Sequence, residues 1–331
     1  MQTFAPGMVL RDRYRLESVL GRGVMGQVWQ GRDLYLERPV AVKTVASELL
    51  AVPRSRDEAL ARFKREARAA ARLDHPNITT VHDASITDEV CCLVMQLVDG
   101  TTLEYLFDQQ QDERFDVHTA AAVAAQLCAG LSAAHAADLV HRDLKTQNVM
   151  VRRDGVVKIL DFGLVKSLAD VDPRLTMTGE GIGNILCASP ELLSGRGRLD
   201  GRSDLYAVGC LLHHMLTGAP PFSTDQPALL ASQHLTAQPP LVGESGVDVP
   251  DSLQELVTAL LAKRPEDRPS SATEVYVALA PHLPGPDPAA AARRGLPRGP
   301  APPVPRPAGA AAPVIGETMV RPTGCAALPR S

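Results

Sequence analysis

His141-Arg142-Asp143-Leu144-Lys145-Thr146-Gln147-Asn148, followed thirteen residues later by Asp161-Phe162-Gly163, decides how this chain is read. Two acids, a lysine and an amide fall close together. That is the equipment for handling a phosphate, a divalent metal and a hydroxyl nucleophile in one cleft. Leu139-Val140 enters the segment as a short apolar run, and Asn148 opens the strand-like Val149-Met150-Val151. Asp154-Gly155 is a two-residue turn signal, and Val156 to Leu160 returns as a second strand. The hairpin so predicted brings Asp161 back beside Asp143 and Asn148.

The octet resembles the catalytic loop, and Asp161-Phe162-Gly163 the metal-binding triplet, of the eukaryotic-like (Hanks-type) protein kinases, in their bacterial serine/threonine branch. The resemblance makes Asp143 the base that orients a substrate hydroxyl. Lys145 neutralises charge on the transferring phosphoryl group, and Asn148 and Asp161 hold magnesium. One departure is visible: Thr146 stands where the family usually has proline.

Upstream, Leu20-Gly21-Arg22-Gly23-Val24-Met25-Gly26-Gln27-Val28 contains a Gly-x-Gly-x-x-Gly. Dinucleotide-binding folds use a similar string, but there it runs directly into a helix. Here Val28-Trp29-Gln30 continues as a strand, and a second strand, Pro39 to Lys43, follows. Glycines at a hairpin tip let backbone amides approach phosphates, as in the glycine-rich loop of the kinases. Lys43 lies in an otherwise apolar strand, and a buried ammonium needs a partner. Residues 56–73 read as a helix with Leu60, Phe63, Ala67 and Ala70 on its inner face. Glu66 falls on that same face, while Lys64, Arg65, Arg68 and Arg72 lie opposite. A Lys43–Glu66 ion pair is therefore expected, and it resembles the family pair that positions the α- and β-phosphates.

Leu93 to Gly100 resembles the strand and hinge between kinase lobes. The resemblance puts Met95 behind adenine and the backbone of Gln96 and Val98 on its edge. Leu20, Val28 and Ala41 cover the base from above, and Met150 from below. Gln96 stands where the family often has glutamate.

The alanine-rich stretch His118 to Ala137, with Val123, Leu127, Leu131 and Ala134 at helical spacing, reads as a scaffold helix. Ser189-Pro190-Glu191 resembles the motif that closes the activation segment. Asp204 to Gly209 resembles the start of the central helix, whose aspartate holds the catalytic-loop backbone. Arg268 is the expected partner of Glu191. Thr176 and Thr178 sit at the position of regulatory phosphosites in bacterial relatives, with Arg62, Arg142 and Lys166 as the pocket for the phosphate. Asn184 follows Gly183 where serine/threonine kinases usually have threonine. Cys187 and Ala188 stand where aromatic and small apolar residues are common.

The chain has 331 residues, 45% hydrophobic and 22% charged, the composition of a globular protein. The sequence suggests no apolar run near the ~20 residues a membrane span needs, and no secretory signal. Six scattered cysteines read as reduced thiols, and Cys91-Cys92 as strand packing. Residues 284–331 carry six arginines, two acids and twelve of the 27 prolines, and so read as a disordered tail of +4. With a whole-chain charge of −4, the remainder carries −8, which disfavours nucleic acid as a partner.

The expected architecture is α+β and two-lobed: a β-rich small lobe at about 12–98 and a larger, mostly helical lobe at about 99–283. The expected function is ATP-dependent transfer of the γ-phosphate to protein hydroxyls with Mg2+ or Mn2+, after activation-loop autophosphorylation. Ser/Thr choice rests on Lys145. A pseudokinase scaffold, supported by Asn184, and a small-molecule phosphotransferase are the competing readings. Protein substrates, a homodimer for trans-autophosphorylation and a cytoplasmic location complete the expectations.

Overall fold

The coordinates are a computed structural model describing residues 4–23, 26–45, 56–86, 91–109, 114–162, 185–195 and 199–285. The first third folds as an antiparallel sheet of β1 (Val9–Leu10), β2 (Tyr14–Gly23), β3 (Gly26–Asp33), β4 (Arg38–Val45), β5 (Val81–Ile86) and β6 (Cys91–Gln96), in the order β1-β2-β3-β4-β6-β5. Side chains alternate between the faces of a strand. Val40 and Val42 thus join Leu16, Trp29 and Val94 in an outer cluster. Ala41 and Val45 point the other way, into a core shared with Leu93, Met95, Phe63 and Ala67. Lys43 has the parity of Ala41 and Val45.

Phe63 and Ala67 lie on α1 (Arg56–Ala70). The predicted inner face is seen at Phe63, Ala67, Ala70 and Leu73, all buried, with Lys64, Arg65 and Arg68 exposed. Helical geometry ends at Ala70, three residues before the expected end.

The second part is helical: α2 (Leu103–Gln109), α3 (Val117–Ala136), α4 (Pro190–Ser194), α5 (Gly201–Thr217), α6 (Pro227–Thr236), α7 (Asp251–Leu260) and α8 (Ala272–Leu279). β7 (Gly100–Thr102), β8 (Val149–Arg152) and β9 (Val157–Ile159) form a small sheet beside them. α3 begins on Asp116, whose carboxylate accepts hydrogen bonds from the His118 and Thr119 N–H groups, satisfying donors that a helix start leaves unpaired. Val123, Leu127, Leu131 and Ala134 are buried, as their spacing predicts. By length and composition α3 is apolar enough to cross a membrane, which corrects the expectation that no segment is. Most of it is buried inside the fold. α5 is buried along nearly its whole length. A Cβ on Gly209 would lie 2.8 Å from Leu260 Cβ, so glycine permits the close approach of α5 to α7.

The hairpin behind the site forms, with Val151 opposite Val157 and Val149 opposite Ile159. Its turn is wider than the two residues expected. Gly155 takes φ 83°, and its N–H donates to Arg152 O at 2.9 Å while the Arg152 N–H donates to Val156 O at 2.9 Å.

Candidate functional site

Asp204 anchors the site. It lies in the first turn of α5 at 1% exposure, and its carboxylate accepts three hydrogen bonds: from His141 N (2.8 Å), Arg142 N (2.9 Å) and His135 Nε2 (2.8 Å). Two of these donors flank the peptide entering Arg142, which takes φ 61°. A left-handed backbone is sparsely populated for a side chain of this size and costs about 1–3 kcal/mol. The buried carboxylate is the local force that holds it. The role expected of Asp204 is thus what the geometry shows.

His141 joins the two halves of the motif. It is fully buried. Nε2 meets Leu160 O at 2.7 Å, and Nδ1 accepts from Asp143 N at 3.2 Å. One neutral tautomer, with the proton on Nε2, satisfies both bonds. Leu160 N in turn donates to Asn148 O at 2.8 Å. The residue before Asp161 is therefore hydrogen-bonded from both its N–H and its C=O to the catalytic-loop segment. Asp161 takes φ 45°, the second strained backbone in the site, and turns away from β9. No side-chain pattern in the chain assigns His141 a role. Its signal was a histidine between an apolar run and an acid, which spacing alone does not interpret.

Within this frame Asp143, Lys145 and Asn148 converge. Lys145 Nζ lies 3.3 Å from Asp143 Oδ2. Asn148 Nδ2 donates to Asp143 O at 2.7 Å and to Asp143 Oδ2 at 3.1 Å. With its amide nitrogen so used, the carbonyl oxygen of Asn148 is the atom suited to a cation. Gln147, on the 3-10 turn Thr146–Asn148, donates to Glu104 of α2.

The small lobe supplies Lys43 and Glu66, and here the structure corrects the expectation. Lys43 Nζ pairs with Asp161 Oδ2 at 3.0 Å, and Glu66 Oε1 lies 3.8 Å from Arg142 Nη1. The expected Lys43–Glu66 pair is exchanged for these two. The physical requirement behind that expectation, a counter-ion for each inward-facing charge, is met by different partners.

The glycine string closes the β2–β3 hairpin with Gly23 opposite Gly26, Arg22 opposite Gln27 and Gly21 opposite Val28. Val28 is in turn opposite Lys43, so the string and the lysine are tied by register. Ala41 and Met95 are paired across β4 and β6 and are both buried. Leu20 is 48% exposed. Val28 and Met150 are half-buried. The Gln96 N–H donates to Thr80 O at 2.9 Å, so that donor is already used; Val98 follows two residues on. Val24, Met25, Gly163, Lys166, Thr176, Thr178, Gly183 and Asn184 lie outside the described residues, as does the side chain of Arg62.

Glu191 and Arg268 form the expected pair, bidentate at 2.7 and 2.8 Å. The same guanidinium donates to Ala262 O, Arg202 O and Lys263 O. This fork fixes the start of α4 to the loop after α7.

Among the described residues no group of three or more His, Cys, Asp and Glu side chains is placed to hold a metal. Asp161 and Asn148 instead offer one carboxylate and one amide oxygen. Magnesium suits such a pair, because it takes few protein oxygens and completes its shell with phosphates and water.

A small β lobe, a helical lobe and an acid–lysine–amide cluster between them define a phosphotransferase fold. Residues 14–278 match the protein kinase domain family, and the chain belongs to that family. It is 37% identical over 262 residues to the serine/threonine-protein kinase PknB of Mycolicibacterium smegmatis, covering 78% of this chain and 41% of that protein. The same-named protein of Mycobacterium tuberculosis is 37% identical over 264 residues, with 78% and 41% covered. This chain thus spans about two fifths of the length of these relatives. Among solved structures, the kinase domain of Mycobacterium tuberculosis PknI superposes with a TM-score of 0.67 at 27% identity, covering 85% of this chain and 100% of that one.

Proposed function

We propose that this chain is an ATP-dependent serine/threonine protein kinase that transfers the γ-phosphate of Mg-ATP to protein hydroxyls. The carrying observation is the convergence of Lys145 and Asn148 on Asp143, beside Asp161. Asp143 accepts a hydrogen bond from the substrate hydroxyl and orients its oxygen, with Asn148 fixing the carboxylate. Lys145 supplies positive charge beside the oxygen under attack. Lys43 and the backbone amides of Gly21 to Gly26 hold the nucleotide phosphates. Asn148 and Asp161 would hold the divalent ion, magnesium or manganese, which when bound neutralises phosphate charge. Ala41 and Met95 line the adenine side. Catalysis is then chiefly positioning and electrostatic stabilisation. The Ser/Thr preference rests on Lys145 and on the names of the relatives.

Regulation follows from the exchanged ion pairs. In this proposal a phosphate on Thr176 or Thr178, carrying about −1.5 to −2 charges, competes for Arg142 together with Arg62 and Lys166. Glu66 is thereby released to Lys43, and Asp161 to the metal. Phosphorylation in trans within a homodimer is the route by which inactive copies are first modified. The catalytic unit is residues 1–283, with 284–331 as an appended tail. A cytoplasmic location fits the free thiols among the described cysteines.

The test incubates wild type, Asp143→Asn and Lys43→Met with labelled ATP, magnesium and a generic protein substrate. Asp143→Asn is expected to lose about 10²–10⁴-fold in rate, with a comparable loss for Lys43→Met. Loop peptides from wild type carry phosphate on Thr176 or Thr178. Equal label in all three proteins defeats the catalytic assignment; full activity with unmodified loop peptides defeats the regulatory one.

A further inference from the structure

Away from the site just described, a crevice runs between the outer side of α1 and β5. Its volume is about 530 Å³, in the size range of small-molecule sites. Lys64 and Arg68 line it from α1, and Asp83 lines it from β5, with Arg11 bonded to that acid. Ala67 and Ala71 on the helix side, and Val81 and Ala84 on the strand side, supply apolar wall.

The cations here are not matched by acids. Asp83 is the only acid among the described lining residues, and its carboxylate is in use. Arg11 Nη1 lies 3.4 Å from both oxygens, the Tyr14 hydroxyl donates to Oδ2 at 2.8 Å, and the Ala84 N–H donates to Oδ1 at 2.8 Å. Lys64 and Arg68 have no ion-pair partner among the described residues. They stand one helical turn apart, with about 5–6 Å between Cβ atoms, and like charges at that spacing repel. One anion lying between them would instead gain two charge-assisted hydrogen bonds. Composition does not account for the cations, since the chain outside its basic tail carries −8. Two exposed cations on a helix are ordinary. Two cations over an apolar-walled recess of this size form a site, because the same ligand can satisfy the charge and cover the wall.

We propose that this crevice binds a small phosphate monoester with an apolar body, its phosphate on Lys64 and Arg68 and its body against Ala67, Val81 and Ala84. A monoester carries about −1.5 to −2 charges at neutral pH, which matches two cations better than a carboxylate does. The crevice is bounded by α1 on one side and β5 on the other, so its shape depends on where α1 lies. α1 also carries Glu66. A ligand that fits the crevice as it stands favours the arrangement in which Glu66 meets Arg142 and Lys43 meets Asp161. Occupancy thus opposes the exchange of ion pairs proposed above and slows phosphate transfer. That effect rests on the kinase reading; the binding does not.

The test titrates para-fluorophenyl phosphate into the full, unphosphorylated chain and follows it by fluorine NMR. A saturating non-hydrolysable ATP analogue with magnesium keeps the probe out of the nucleotide site. Saturation is expected at about millimolar concentration or below. Para-fluorophenol, which lacks the phosphate, and inorganic phosphate, which lacks the ring, should each bind about tenfold more weakly or worse. Joint replacement Lys64→Ala and Arg68→Ala should cost about tenfold or more in affinity, and the charge-keeping pair Lys64→Arg and Arg68→Lys should restore it. Both side chains are exposed and alanine favours helix, so the alanine variant keeps its fold, which circular dichroism checks. Absence of saturation, or binding that survives the alanine pair, overturns the site. Failure of the charge-keeping pair, or equal binding of para-fluorophenol, overturns recognition by charge; equal binding of inorganic phosphate overturns the apolar wall. In phosphate transfer the probe should slow wild type severalfold and leave the alanine variant unaffected. Full binding with unchanged or faster transfer overturns the regulatory part. A chain without transferase activity still reports binding, so the two readings fail separately.

Discussion

Two buried acids of the large lobe, Asp204 and Glu191, and Glu66 of the small lobe are held in opposite ways. In the large lobe Asp204 is buried, accepts three hydrogen bonds and fixes a strained turn. Glu191 is gripped by a bidentate guanidinium at 0% side-chain exposure. In the small lobe Glu66 sits half-buried, 3.8 Å from Arg142. Desolvated pairs with short bonds cannot exchange partners cheaply, because an abandoned buried charge has no water to return to. A long, partly solvated pair can. The Asp204 and Glu191 contacts are thus built to stay, and the Glu66–Arg142 contact is one that can be replaced.

The sharpest way to break this comparison is at Arg268. Arg268→Ala strands the Glu191 carboxylate and three backbone carbonyls. Unfolding free energy by denaturant is expected to drop by about 3–5 kcal/mol. A loss below 1 kcal/mol would show that the fork is no firmer than the Glu66 contact.

Acid probes the large-lobe interior next. His234 is fully buried beside Tyr206, Phe222 and Lys263, and burial pulls its pKa down from 6.5 to about 4. The folded state therefore resists a proton that the unfolded state accepts. The stability this represents is fully present above pH 6.5 and is lost as pH falls from 6.5 to 4. About 2.5 pKa units correspond to about 3 kcal/mol. His214 shifts in the same direction, so His234 is isolated by comparing wild type with His234→Phe. The variant's stability should fall less over that pH window, by about 3 kcal/mol. Parallel curves would remove His234 from the acid response.

The smallest effect belongs to the small lobe. A double-mutant cycle of Glu66→Gln and Arg142→Gln in the unphosphorylated protein should give a stability coupling of about 0.2–1 kcal/mol, as for solvated pairs. A coupling of 3 kcal/mol or more would make Glu66 as fixed as Glu191 and end its proposed role as a movable acid.

Much of this was legible in the chain. The hairpin from Asn148 to Asp161 follows from two apolar runs and a turn signal, because strand alternation and turn chemistry are local. The inner face of α1 follows from helical spacing. Asp204 and Arg268 were recognisable by motif, and the structure gives them the expected partners. Other features could not be read. His141 serves two backbone groups, Leu160 O and Asp143 N, that no side-chain pattern reports. The wider turn at Gly155 depends on one left-handed residue.

The sequence by itself determined the class of fold and the inventory of chemical groups, because periodicity, turns and motif spacing are properties of neighbouring residues. Only the tertiary structure decided which charge pairs with which. Lys43 has an acid available on α1 and another after β9, and composition does not rank them; it takes Asp161, and Glu66 takes Arg142. Coulomb attraction acts over a few ångströms of space, and only the packed chain sets those distances.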